Sequence, residues 1–230
     1  MAESKQQLQE PPIQDINPIP ERLKKVARAW YEAQGQVEKR VKSGNVAEAI
    51  WVTEQYHSAY GRLNQYTYNF LLKAAVDSKN PTFVQKVLHF FEAHRIPYNT
   101  HTFINLIQWY SINRDIRSLN KLWIDLVVKH PQYLNADVFG ELIRALRMHN
   151  VDQVVVEKVL AMAAKFKFEY NSETYCQLFL MFKQNNMIKH IIDLYKRYKQ
   201  DISDRGIDAD PHVLLRAILT FYRTAMGACT

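Results

Sequence analysis

The side chains nearest to a metal-binding arrangement are four aspartates, Asp201, Asp204, Asp208 and Asp210, and two histidines, His89 and His94. The aspartates lack the ordered Asp-x-Asp-x-Asp-Gly run with a closing Glu that a calcium loop requires, and they read as a polar loop between repeats. The histidines stand five positions apart, off the spacing that brings two imidazoles onto one helix face. No Cys-x-x-Cys, His-x-Glu or glycine-rich phosphate loop occurs. The expectation is a non-catalytic chain with no metal, no cofactor and no small-molecule substrate. Two basic clusters offer a different chemistry. Arg22, Lys24, Lys25 and Arg28 fall on an expected helix, and Lys189, Lys196, Arg197 and Lys199 are interleaved with Tyr195 and Tyr198. Each cluster could grip a phosphate backbone or an acidic protein, or could be a solvated helix face.

Charge points the same way. The formal net charge is +7, which leans toward acidic partners, nucleic acid first among them. The excess is local: residues 65–135 carry eight Lys/Arg against four Asp/Glu, whereas residues 136–210 carry eleven of each. Only 6 glycines in 230 residues disfavour a turn-rich all-β fold. No run of about 20 apolar residues is present, so no membrane span is expected. Cys176 and Cys229 give no disulfide framework and fit a reducing compartment. The first twenty residues are polar, proline-bearing and mildly acidic, unlike a secretory signal or an Arg-rich mitochondrial presequence. Either the protein is cytosolic or the sequence lacks its targeting segment.

The elements that must position these side chains emerge from self-similarity. Four segments open alike, from Gln65, Thr100, Ala136 and Ser172, each with a β-branched residue, an aromatic, two variable positions and an apolar pair. The aromatics Tyr68, Phe103, Phe139 and Tyr175 lie 35, 36 and 36 residues apart and are expected in the core. A looser copy starts at Pro211, and one more unit fits backward over 30–64. Asn64, Asn99, Asn135, Asn171 and Asp210 each stand immediately before the next unit, where a short polar side chain caps the following helix at a gain of about 1 kcal/mol. Apolar residues recur at helical spacing twice per unit, as in Tyr68, Leu71, Leu72, Ala75 and then Val84, Val87, Leu88, Phe91. Pro81 suits the first turn of the second helix. One helix pair cannot bury both faces, but stacked neighbours can. The expected fold is all-α: a right-handed α-solenoid of helix-turn-helix repeats, five units near 30–64, 65–99, 100–135, 136–171 and 172–210 with a partial one at 211–230. Residues 1–29 form an extension, partly extended and then helical.

With its period of 35–39, its Thr-Tyr-Asn-x-Leu start at Thr67 and its Gly-Ile-x-x-Asp end at Gly206, the array resembles the pentatricopeptide-repeat family over residues 30–230. The resemblance implies that first helices line a groove where each repeat holds about one RNA base. It also implies that the residue after the aromatic and the last residue of the unit discriminate the base. Here those pairs are Gln34/Asn64, Asn69/Asn99, Ile104/Asn135, Gly140/Asn171 and Cys176/Asp210. Asn69/Asn99 matches a regular family pair, of a type associated with pyrimidines, and an amide can donate and accept at a base edge. By the same resemblance the second residue of each unit sandwiches a base: Tyr31, Tyr66, His101 and His212 can stack, for about 1–3 kcal/mol per base in single-strand binders. Asp137 and Glu173 at the equivalent sites repel phosphate. RNA is therefore expected along residues 30–135, with Lys73 lending charge to the groove.

These expectations combine into a non-catalytic scaffold of an organellar ribonucleoprotein, a mitochondrial ribosome-associated subunit contacting RNA and neighbouring proteins. The location rests on the resemblance alone. A free single-stranded-RNA-binding factor acting on organellar transcripts is the alternative, and a purely protein-binding scaffold is another. For the latter Trp30, Trp51, Trp109 and Trp123 could supply anchors, though most are expected in the core.

Overall fold

The computed structural model describes residues 21–206 and Leu219. The extension at 1–20, the Asp208 and Asp210 positions, His212 and the partial last unit lie outside the described residues, as does the side chain of Arg22. Among the described residues the protein is all-helical, with ten α-helices, a short 3-10 turn at Pro131–Tyr133 and no strand. The helices are α1 (Glu21–Lys42), α2 (Val46–Tyr60), α3 (Gln65–Asp77), α4 (Pro81–Ala93), α5 (Thr100–Ile112), α6 (Ile116–Lys129), α7 (Ala136–Met148), α8 (Gln153–Phe166), α9 (Ser172–Gln184) and α10 (Ile188–Arg205).

Local chemistry sets these boundaries. Each helix from α2 to α9 opens on an Asn or Asp side chain that accepts a backbone N–H of its first turn, from Asn45 and Asn64 through Asp152 and Asn171. These caps satisfy donors that the helix itself leaves orphaned. The turn inside each unit places one residue at positive φ: Gly44, Lys79, Arg114, Asn150 and Asn186. Gly44 adopts that conformation without a Cβ penalty, whereas Lys79 and Arg114 hold it against their own sterics. α1 runs unbroken from Glu21 through the expected unit boundary at residue 30. α10 extends to Arg205, so Asp201 and Asp204 are helical residues and not part of a loop. Asp201 is drawn into the helix by Arg205, four residues on, and by the Tyr175 hydroxyl, which donates to it.

Packing follows the unit order. α1, α3, α5, α7 and α9 contact one another in succession, while α2 packs on α1, α4 on α3, α6 on α5 and α10 on α9. Tyr68, Phe103, Phe139 and Tyr175 are fully buried. Burial of such rings supplies the largest apolar areas available to the fold. The buried apolar side chains form two clusters, one from Ala33 to Ile96 and one from Phe103 to Tyr198, and Tyr98 packs against both. Of the four tryptophans only Trp123 is buried; Trp30 and Trp109 are half-buried and Trp51 is exposed.

Candidate nucleic-acid interface

The joint between α3 and α5 gathers more of the expected groove residues than any other. A cleft of about 470 Å³ there is lined by Tyr66, Asn69, Lys73, Asn99 and His101, with Asn105 at its floor. The Tyr66 side chain is 63% exposed and lies parallel to Phe70, ring centroids 6.2 Å apart, so one aromatic face stays open. Lys73 is paired with Asp77 one turn along the same helix. Tyr31 lies apart on α1, 70% exposed with its ring edge-on to Trp30 at 4.9 Å. Asn64 and Asn135 sit one joint before and one joint after the cleft.

The amides at this joint are engaged with protein. Asn69 is buried, and its Nδ2 donates to the Gln65 carbonyl and to Asn99 Oδ1, each at 3.1 Å. Asn69 Oδ1 accepts the Thr102 hydroxyl at 2.7 Å. Asn99 Oδ1 also accepts the Thr102 N–H at 3.1 Å, as the cap of α5. Asn105 Nδ2 reaches back to the Asn69 carbonyl at 3.2 Å. Both Nδ2 hydrogens of Asn69 are thus committed, and its Oδ1 holds one bond. Among the described residues, Asn99 Nδ2 alone of the pair has no protein acceptor.

The other joints vary one theme. Between α1 and α3, Gln34 Nε2 donates to Thr67 Oγ1 at 2.8 Å, and that hydroxyl donates to Asn64 Oδ1 at 2.8 Å. Between α5 and α7 both partners are apolar, Ile104 and the fully buried Val138, leaving Asn135 only its cap bond to Val138 N–H at 3.0 Å. Between α7 and α9, the single hydrogen of the Thr174 hydroxyl is within donating reach of Asn171 Oδ1 at 2.8 Å and of the Ala136 carbonyl at 3.1 Å. A Cβ added at Gly140 would lie 3.0 Å from Thr174 Oγ1. The fifth residue of a unit therefore meets the β-branched third residue of the next unit at three of these four joints, and its chemistry matches that neighbour. Sequence reading placed these residues but missed the contact, whose signal is a recurring separation of 33 residues in Gln34–Thr67 and Asn69–Thr102.

The electrostatics change sign along the same face. A smaller cleft of about 210 Å³ at the α7/α9 joint is lined by Asp137, Glu141, Arg144 and Glu173. Arg144 is held by Glu141, a bond that raises its pKa further above the ordinary guanidinium value. Asn171 Nδ2 donates to Asp137 at 2.7 Å and Gln177 to Glu173 at 2.6 Å. Two exposed carboxylates at the positions corresponding to Tyr66 and His101 leave this end unsuited to a polyanion.

The basic clusters fare unequally. Lys24 lies 3.4 Å from Glu21, and Lys25 and Arg28 are exposed. On α10, Lys189 and Lys196 are exposed, the latter 3.9 Å from Asp193. Arg197 covers the Tyr170 ring at 4.1 Å and donates to the Phe168 carbonyl at 3.1 Å, while Lys199 lies over Tyr195 at 5.0 Å. Arg197 thus braces the end of the preceding unit, and the α10 cluster is broken by Asp193 and Asp201.

A polar constellation that the sequence did not disclose joins α2, α3 and α4. Tyr68 OH accepts the Leu63 N–H at 2.9 Å and lies 2.5 Å from His57 Nε2. Its own hydrogen is then directed at His57, which must be neutral to accept it. Burial, reinforced by His94 with its ring centroid 3.9 Å away, lowers the His57 pKa to about 4. Burial pushes the Tyr68 phenol up to about 12.

Among the described residues no three His, Cys, Asp or Glu side chains converge as metal ligands, and no helix is long and apolar enough to cross a membrane. No family model matches the chain, and no curated protein sequence matches it.

Proposed function

We propose that the helix pairs continue as a right-handed α-solenoid of pentatricopeptide-repeat type, and that the protein is a non-catalytic scaffold of a mitochondrial ribonucleoprotein, a ribosome-associated subunit contacting RNA and neighbouring proteins. The observation that carries this reading is the engagement of the joint amides. Both Nδ2 hydrogens of Asn69 and the Oδ1 atoms of Asn64 and Asn99 are engaged at the joints, which narrows what these amides offer a base. What borders the α3/α5 cleft is sequence-tolerant: the Tyr66 ring, His101 and the Lys73 ammonium, which Asp77 shares. Stacking and charge of that kind suit contact with RNA whose position is fixed by a larger particle.

The test has two arms. Purified full chain is titrated with short single-stranded RNAs of different sequence at several salt concentrations, and tagged chain is followed on density gradients of mitochondrial lysate. Expected are weak binding that tolerates sequence, a log affinity that falls with log salt, a loss on combining Tyr66→Ala with Lys73→Ala, and co-migration with the ribosome. Tight binding of one sequence, abolished by Asn99→Ala, with no co-migration, would establish the free transcript-binding factor, the reading that the unengaged Asn99 Nδ2 favours. Co-migration insensitive to nuclease, with no RNA affinity at low salt, would leave protein scaffolding alone.

A further inference from the structure

One face of α6 carries an aliphatic row that no described residue covers. Ile116, Ile124 and Val128 stand on one i, i+4 ridge of the helix and are 42, 52 and 70% exposed, with Asn120 completing the row. The flank on the other side of the row is the one that folds the protein: Leu119, Trp123 and Leu126 are buried in the core. The ridge adjoining the aliphatic row holds Arg117 and Lys121, both exposed, with Arg114 in the turn before the helix. None of these three cations has an ion pair within 4.0 Å among the described residues. The neighbouring carboxylates are already engaged: Asp115 accepts the Ser118 N–H at 3.0 Å as the cap of α6, and Asp125 pairs with Lys129 at 2.9 Å.

We propose that this face docks an amphipathic helix of another protein, one that presents aliphatic side chains to Ile116, Ile124 and Val128 and Asp or Glu to Arg117 and Lys121. Exposed aliphatic ridges of this kind mark interaction surfaces, and a helix laid along them reads out i, i+4 anchors. Charge selects the partner. A second copy meeting the same face across a two-fold axis would set its Arg117 and Lys121 row against an identical one. RNA finds no ring to stack on along the row. An anionic membrane calls for a broad apolar face with Trp, Phe or Leu, and here three aliphatic side chains are interrupted by Asn120.

The inference is independent of RNA binding and is tested on the full chain. Benzoylphenylalanine at Asn120 is photocrosslinked in cells that make the protein, and the adduct peptide is sequenced. In parallel, two synthetic helices of about 18 residues, identical in their leucine row but edged with Glu or with Lys, are titrated by fluorescence anisotropy. The expected adduct is a peptide with an apolar row and an acidic edge. The Glu-edged helix binds, and loses about tenfold in affinity on Lys121→Glu or Ile124→Asp, variants whose circular dichroism and unfolding midpoint stay unchanged; the Lys-edged helix does not bind. Equal binding of both helices, indifference to both variants, or no protein adduct overturns the proposal. So does an adduct to RNA or to a second copy, or sedimentation with phosphatidylglycerol vesicles that the same variants abolish.

Discussion

The α3/α5 joint and the α7/α9 joint begin from the same capping asparagine and reach opposite surfaces. At the first, Asn69, Thr102 and Asn99 close a buried ring of hydrogen bonds beneath a cleft rimmed by Tyr66, Lys73 and His101. At the second, Gly140 leaves room for Thr174, whose hydroxyl hydrogen lies between the Ala136 carbonyl and Asn171 Oδ1, and Asn171 turns its donor to an exposed Asp137. One joint gains cohesion from a side chain and the other from the lack of one. At these two joints the residue after the buried aromatic is therefore chosen first by its neighbour in the next unit, and any role toward RNA is laid over that constraint.

The sharpest way to break this comparison is to give the second joint a side chain. Gly140→Leu drives carbon into Thr174, which is fully buried and flanked by backbone. Overpacking costs up to about 3 kcal/mol, and the better helix propensity of leucine returns about 1 kcal/mol, so a net loss of about 2 kcal/mol is expected in urea unfolding. A stability equal to that of the parent chain would mean that the α7/α9 contact is loose and the match of partners accidental.

A milder probe makes the first joint imitate the apolar joint between α5 and α7. Thr102→Val alone removes the donor to the buried Asn69 Oδ1 and is expected to cost about 1–2 kcal/mol, because the acceptor stays buried without a partner. Adding Asn69→Ile gives this joint the apolar residue types of Ile104 and Val138 and should bring the loss back to about 0.5 kcal/mol, a coupling that a double-mutant cycle isolates. Strict additivity of the two changes would show that the residues act separately. RNA affinity at fixed salt is expected to be the same in the double variant as in the parent chain.

The sequence made some of this legible for a physical reason. Unit starts at Gln65, Thr100, Ala136 and Ser172 coincide with the first residues of α3, α5, α7 and α9, because a cap and a buried aromatic are local signals with a fixed spacing. The turns inside the units were less visible. Lys79 and Arg114 hold the positive φ that Gly44, Asn150 and Asn186 signal by their identity. The joints were out of reach from propensity because they couple residues 33 apart, although the alternation of polar and apolar types at matched positions carried the information. The reach of α10 was also hidden: Asp201 and Asp204 resemble loop residues until Tyr175 and Arg205 are known to surround Asp201.

The two buried tyrosines at equivalent positions give the subtlest contrast, and pH separates them. Tyr68 OH is tied to neutral His57, whereas Tyr175 OH donates to Asp201 beside Arg205. His57 titrates near 6.5 when unfolded and near 4 in the fold, through burial and the adjacent His94. The folded state thus binds fewer protons than the unfolded one between these values. The stability contributed by neutral His57 is complete above about 6.5 and is lost as pH falls toward about 4. A protonated His57 would also compete with the Leu63 N–H for the Tyr68 oxygen and displace the phenol hydrogen from its acceptor. Amide hydrogen exchange, corrected for intrinsic rates, should therefore show α2–α4 losing protection between pH 7 and pH 5 more than α9 and α10 do. His57→Gln, which keeps an acceptor without a titrating group, is expected to flatten that difference. Uniform loss across both regions, or a difference that survives His57→Gln, would place the acid sensitivity elsewhere and separate it from the Tyr68 hydroxyl.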